Sequence, residues 1–224
     1  MSTTALNYLD ESQRQQIAEL IADVEEQTTA EIVCAVATES GRYDRAESIT
    51  GVILALVLLG LVNTIHFQLV TDWDLPPLPY TVQATAVVIG FLTGMSLASY
   101  WHGLRRLFVS RREMDQETAR AASHVFADLR LGLTQQRGGV LIYVTLFERE
   151  VVILADRIAL QAIEDSGLTH LRDIAVGQLK SGNRLEALTA TVQAAAEILK
   201  TNLPADDKDG SVLPDQLICI HPRP

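Results

Sequence analysis

Two long stretches without a charged side chain constrain this chain more than anything else in it: Ser48 to Thr71, and Leu75 to Trp101. Each holds a run of about 22 residues, Ile49 to Val70 and Tyr80 to Trp101, that a helix can carry through a bilayer. At ~1.5 Å rise per residue such a helix is ~33 Å long, enough for a hydrocarbon core of ~30 Å. Only Thr71-Asp72-Trp73-Asp74-Leu75-Pro76-Pro77-Leu78-Pro79 separates the two runs. The pattern predicts a transmembrane hairpin over residues 48–104, with spans at 49–70 and 80–101, and both flanks then lie on the same side. The alternative is a buried hairpin in a large soluble protein. The charges and aromatic residues at the span ends argue against it.

Arg42 and Arg45 precede the first span, and Arg105, Arg106, Arg111 and Arg112 follow the second. The connecting loop has Asp72 and Asp74 and no Lys or Arg. The bias of positive charge places both termini in the cytoplasm and the loop outside. Trp73 and Tyr80 fall at the outer ends of the spans, and Tyr100 and Trp101 at the inner end of the second, the depth that amphipathic rings prefer. With Arg105 and Arg106 these are the expected membrane-interface residues, and the arginine cluster reads as a lipid-headgroup contact. The N-terminal residues have neither the basic region nor the apolar core of a signal peptide.

In the second span Ala86, Gly90, Gly94 and Ala98 recur every four residues and form a small-residue stripe, with Gly90 and Gly94 as a G-x-x-x-G pair. The stripe packs either the hairpin on itself or a homodimer. The tethered partner favours the hairpin, and Gly60 and Thr64 are the expected flat patch on the first span. Asn63, His66, Gln68 and Gln83 either line a polar path or bond locally. No ionisable acid or base accompanies them in the core, which argues against transport.

The formal net charge of −10 argues against a nucleic-acid surface, which needs clustered Lys and Arg. Cys34 and Cys219 are far apart, and two free thiols suit a reducing compartment. No C-x-x-C and no His-rich spacing signals zinc. No phosphate-binding loop or dinucleotide fingerprint occurs.

The soluble flanks alternate helix and strand. Residues 10–27 read as an amphipathic helix, capped by Asp10 or Ser12, with Leu9, Ile17, Leu20, Ile21 and Val24 on one face. Residues 30–37 are short, β-branched and, apart from Glu31, apolar, the mark of a buried strand. After the second span a helix is expected from Arg105 to about Leu133. Strands follow at 140–146 and 150–155 as a tight antiparallel hairpin. Helices are expected at 157–164, 169–180 and 183–201, the last capped by Asn183. Leu217 to Ile220 can dock as an edge segment.

Neither flank folds well alone, since the first has a lone strand and the second a hairpin that needs more sheet, so the economical fold is one α/β domain. It has a small mixed sheet of about three strands packed with helices, interrupted by the two-helix transmembrane hairpin. Residues 1–47 and 105–203 are its two parts, and 204–224 an acidic tail.

Three segments resemble a known family in order: Glu25-x-x-Thr28-x-Ala30-Glu31-Ile32-Val33, then Thr134-x-x-Arg137-x-Gly139-Val140-Leu141-Ile142, then Glu148-Arg149-x-Val151-x-Ile153-x-x-Asp156. Val212-Leu213-Pro214-Asp215 adds a closing match. They resemble the TPM domain, named for thylakoid, photosystem-associated and nematode membrane members. The chain resembles bacterial forms with a membrane hairpin inserted after the first strand. The resemblance implies a bacterial inner-membrane protein with a cytoplasmic domain and an unidentified membrane-protein partner. It also implies acid phosphatase activity or calcium binding in some members, and assembly or repair of membrane complexes in others. Where the lumenal members carry a glycine-rich turn and further acids, this chain has Asp156-Arg157-Ile158-Ala159.

The expected topology puts Glu31, Arg137 and Asp156 at one end of the sheet, with Thr28 near. The two carboxylates suit Ca²⁺ or Mg²⁺, and Arg137 suits a phosphate. An ion-pair network closing the sheet end uses the same residues and is preferred, because cation sites recruit more oxygen ligands. No catalytic residue and no other cofactor is signalled. Glu148-Arg149-Glu150 reads as a solvated charged turn, with a partner contact as the alternative, and His124 and His170 as surface or packed histidines. The expected role is a non-enzymatic interaction or assembly module. The alternative is a metal-assisted phosphate-ester hydrolase.

Overall fold

The computed structural model describes residues 4–69, 76–131, 138–205 and 216–224. The elements run α1 (Glu11–Glu25), β1 (Glu31–Ala37), α2 (Asp44–Leu69), α3 (Tyr80–Tyr100), α4 (His102–Leu107), α5 (Arg111–Asp128), β2 (Gly139–Thr145), β3 (Glu150–Ala155), α6 (Arg157–Lys180), α7 (Arg184–Asn202) and β4 (Ile218–Ile220). They form two compact units, Met1–Gly41 with Met114–Pro224, and Arg42–Glu113.

The first unit is built on a mixed sheet in the order β3-β2-β1-β4. β1 runs parallel to β2, with Glu31 opposite Gly139 and Ala37 opposite Thr145. β2 and β3 are the expected antiparallel hairpin. The sheet has four strands where about three were expected, because Ile218–Ile220 adds a short parallel edge to β1. With neighbours on both sides and helices on both faces, β1 is buried at all seven positions. That explains its apolar run from Ile32 to Ala37.

Strand alternation then sorts the core. Ile32, Cys34, Val36, Val140, Ile142, Val144, Val151 and Ile153 face one layer, made of α1, α6 and α7. Val33, Ala35, Ala37, Leu141 and Tyr143, with Val152 and Leu154, face α5 through Ala121, Ala122 and Val125. Asp10 starts α1 with a reciprocal capping box: Gln13 N–H donates to Asp10 Oδ1 at 2.8 Å, and Asp10 N–H donates to Gln13 Oε1 at 3.1 Å. Both cysteines are free, and burial pushes the Cys34 thiol up to about 12.

Two local expectations are corrected, and the boundary of a third is refined. The helix after α3 is broken at 108–110, and Ser110 Oγ accepts the Glu113 N–H at 3.2 Å to start α5. The two helices expected on either side of Asp165-Ser166-Gly167 are present as the two arms of α6, which meet at a kink. Its break lies at Glu164, whose φ of 63° and ψ of 163° are non-helical. Asn183 precedes α7 without a side-chain capping bond, and its amide donates to Gln178 Oε1 at 3.3 Å.

The second unit holds α2 and α3. Both are long and apolar enough to cross a membrane, and only 17% and 22% of their most apolar windows are buried. A core helix of a soluble protein would be mostly buried. These present Leu56, Val57, Leu61, Val88, Ile89 and Leu92 outward.

Candidate functional site

The carboxyl ends of the parallel strands gather the densest buried polar cluster among the described residues. In open α/β sheets this is the end where ligands bind. Past β1 the chain stays buried through Thr38, Glu39 and Ser40. Backbone bonds extend the ladder there: Thr38 N–H to the Ile220 carbonyl at 3.1 Å, Glu39 N–H to the Pro222 carbonyl at 3.2 Å, and Phe147 N–H to the Thr38 carbonyl at 3.0 Å. Thr38 Oγ1 accepts the Ala5 N–H at 2.9 Å and lies 2.9 Å from His221 Nδ1. Arg223 reaches Glu39 Oε1 at 3.4 Å.

At the centre is Glu148, expected in a solvated turn and found with no exposed surface. Arg149 takes a left-handed φ of 59°, and this compact turn directs Glu148 inward while Arg149 stays exposed. Glu148 accepts the Ser40 N–H at 2.8 Å through Oε1 and the Thr145 hydroxyl through Oε2. Ser40 Oγ is 3.0 Å from the Tyr143 hydroxyl. Burial pushes Tyr143 up to about 12; the Ser40 contact opposes this and the Glu148 charge adds to it.

Glu150 shares the α5-facing side of β3 with Val152 and Leu154. Its carboxyl is raised to about 7, first by burial and then by the Asp115 carboxyl. The Thr118 hydroxyl counteracts, and the Glu148 charge adds a further push. A carboxyl titrating near neutrality can give or take a proton under physiological conditions. Sequence reasoning missed Ser40, Tyr143, Thr145 and Glu148 as a group. The one local signal was the Glu148-Arg149-Glu150 run itself.

Of the residues singled out from sequence, Glu31, Asp156 and Thr28 lie at the opposite end. Glu31 is 3% exposed at the start of β1. Asp156 follows β3 at the same end, and its N–H donates to the Gly139 carbonyl at 2.9 Å. Its side chain caps α6 by accepting the Ala159 N–H at 2.7 Å. Thr28 Oγ1 donates to the Leu203 carbonyl at 2.6 Å. Arg137, Thr134 and residues 212–215 lie outside the described residues. Among the described residues no three His, Cys, Asp or Glu side chains are grouped to hold a metal ion. His124 is exposed beside Asp128 at 3.1 Å, and His170 is exposed.

In the second unit Ala86, Gly90, Gly94 and Ala98 are the buried residues of α3. A Cβ on Gly90 would stand 2.6 Å from Ala55 Cα, and one on Gly94 would stand 2.8 Å from Gly51 Cα. Only glycine permits that approach. The matching patch on α2 is therefore Gly51 and Ala55. A Cβ on Gly60 would meet nothing within 4 Å, and Thr64 is exposed. Asn63 Nδ2 donates to the Leu59 carbonyl at 2.8 Å, and Gln83 Nε2 to the Leu78 carbonyl at 2.9 Å, so both bond locally.

Tyr80, Tyr100 and Trp101 are exposed at the helix ends, and Trp73 lies outside the described residues. Arg105, expected at headgroup level, is turned inward. It is 6% exposed, 3.3 Å from Glu47 Oε1, and its guanidinium lies 5.7 Å from the centroid of Tyr43. Arg106 is half-buried.

Residues 103–198 match the family model described as the TPM domain. Among solved structures, the NMR structure of BA42 protein from the psychrophilic bacterium Bizionia argentinensis is similar in fold. Its TM-score is 0.55 over 94% of this chain and 94% of that chain, at 17% identity. No curated protein matches the chain.

Proposed function

From the premise that this chain carries a TPM domain, we propose that it is a membrane-anchored, non-enzymatic interaction module serving assembly or maintenance of a membrane protein complex. The observation that carries this reading is the employment of two carboxylates, Asp156 and Glu148. Asp156 caps a helix and Glu148 holds the Ser40 backbone and the Thr145 hydroxyl. A catalytic acid or base needs to be within reach of substrate, and these two are spent on the fold.

The anchor rests on the outward apolar faces of α2 and α3. Flanking arginines and an acidic connecting loop support cytoplasmic termini in a bacterial inner membrane. The acidic balance points away from nucleic acid.

Two measurements test this. The purified full-length protein is assayed on a generic phosphate ester with Ca²⁺ or Mg²⁺, beside a Glu31→Gln, Asp156→Asn double variant. The expected result is no turnover above that variant; metal-dependent turnover lost in the variant overturns the reading in favour of a hydrolase. Reporter fusions at each terminus are expected to read cytoplasmic, and a reporter active outside the membrane removes the anchored topology.

A further inference from the structure

The chain leaves α3 through Trp101, whose φ of −109° and ψ of 88° end the helix, and re-enters a helix at once in α4. Within this unit Arg105 is a clasp. Its ion pair with Glu47 and its stacking on Tyr43 tie α4 to the first turn of α2. With Arg105 held inward, the outer side of the segment carries exposed apolar rings and chains. Leu107 is 77% exposed, Trp101 63% and Phe108 37%.

Arg111 and Arg112 follow directly, both exposed, and neither forms an ion pair with a described residue. From Trp101 to Arg112 there is no Asp or Glu. Exposed apolar side chains are poorly served by water, and an anionic headgroup layer takes them up while attracting the neighbouring cations. The segment also continues directly from α3, whose last residue, Tyr100, marks the end of the apolar span.

We propose that residues 101–112 form an elbow that binds anionic phospholipid. Trp101, Leu107 and Phe108 enter the acyl boundary, Arg111 and Arg112 engage phosphate-bearing headgroups, and Arg105 acts as the positioning residue. The occupant is lipid because the patch is continuous with a membrane-length helix and carries the complementary charge. This inference rests on the anchored reading above and goes beyond it by assigning a lipid class and the residues that select it.

The test uses the full-length chain with Trp73→Phe, which leaves Trp101 as the single tryptophan of the two present. The protein is placed in phosphatidylcholine nanodiscs doped with a brominated lipid, either phosphatidylglycerol or phosphatidylcholine, at equal low mole fraction. Each arginine near an anionic leaflet is worth about a fivefold change in partition. Brominated phosphatidylglycerol is therefore expected to quench Trp101 several-fold more strongly than brominated phosphatidylcholine. Arg111→Gln with Arg112→Gln is expected to bring the two to parity. Leu107→Ser with Phe108→Ser is expected to weaken quenching by both.

Insertion with equal quenching in the unaltered elbow, or a preference that survives loss of both arginines, overturns the proposal and leaves the anchor intact. Failure of the chain to enter nanodiscs overturns the anchor, and the elbow with it.

Discussion

Glu148 shows how one residue joins distant parts of the chain. Its carboxylate accepts a backbone N–H from Ser40, 108 residues away, in a site without solvent. Glu148→Ala leaves that donor and the Thr145 hydroxyl unsatisfied, and each such loss costs about 1–3 kcal/mol. Chemical unfolding of the purified variant is expected to show a loss of about 2–4 kcal/mol, with a smaller loss for Glu148→Gln, which keeps a carbonyl acceptor. A change near zero in Glu148→Ala would mean the contact is dispensable.

Glu150 adds a pH dependence. Its carboxyl is raised from 4.5 to about 7, so the folded state holds its proton more tightly than the unfolded chain does. The associated stability is fully present below about pH 4.5 and is lost as pH rises through about 7. Glu150 is only half-buried and faces Asp115, Thr118 and Glu148, so solvent screening keeps the effect below the full ~1.4 kcal/mol per unit. Melting curves from pH 5 to 8 are expected to fall more steeply for the unaltered chain than for Glu150→Gln. Parallel curves would remove Glu150 as the titrating group.

At the scale of elements, α2 and α3 are held by backbone contact. The space above Gly90 is filled by Ala55, whereas Gly60 faces open space. Gly90→Ile is therefore expected to lower thermal stability in detergent by an overpacking cost of about 1–3 kcal/mol or more. Gly60→Ile is the matched control and is expected to leave it unchanged. Equal effects would show that the glycine seam does not hold the pair. The repeat of small residues in α3 was legible in sequence because it has helical spacing. Its partner was not, since the register of one helix against another depends on where the connection and the span ends place them. The break before α5 was equally hidden. No proline or glycine marks it, and Ser110 acts as a cap only because the helix restarts there.

Across the whole molecule, the hairpin is an insertion between two strands that pair with each other. A protease site placed between residues 70 and 75 of the connecting loop tests this. After cleavage, the fragment ending there and the fragment beginning there are expected to co-purify in mild detergent, held by β1–β2 pairing and by the α2–α3 seam. Separation without denaturant would show that the halves are independent. The family match begins at residue 103, after β1, so β1 is contributed by sequence that the matched segment does not include. The need for β1 was nonetheless readable, because a buried apolar strand cannot leave its ladder groups unpaired.

Composition and periodicity by themselves determined the two membrane-length helices, the three main strands and the pairing of the flanks, because each follows from local hydrophobic pattern and from the demand that backbone groups be satisfied. Only the tertiary structure decided which charged residues are buried. Arg105 and Glu148 both read as surface groups in sequence, and both are enclosed. Burial of a charge is set by neighbours brought in from elsewhere in the chain, Glu47 and Tyr43 for one, Ser40 and Thr145 for the other. No local pattern encodes that meeting, since its energy exists only once the distant segments are packed together.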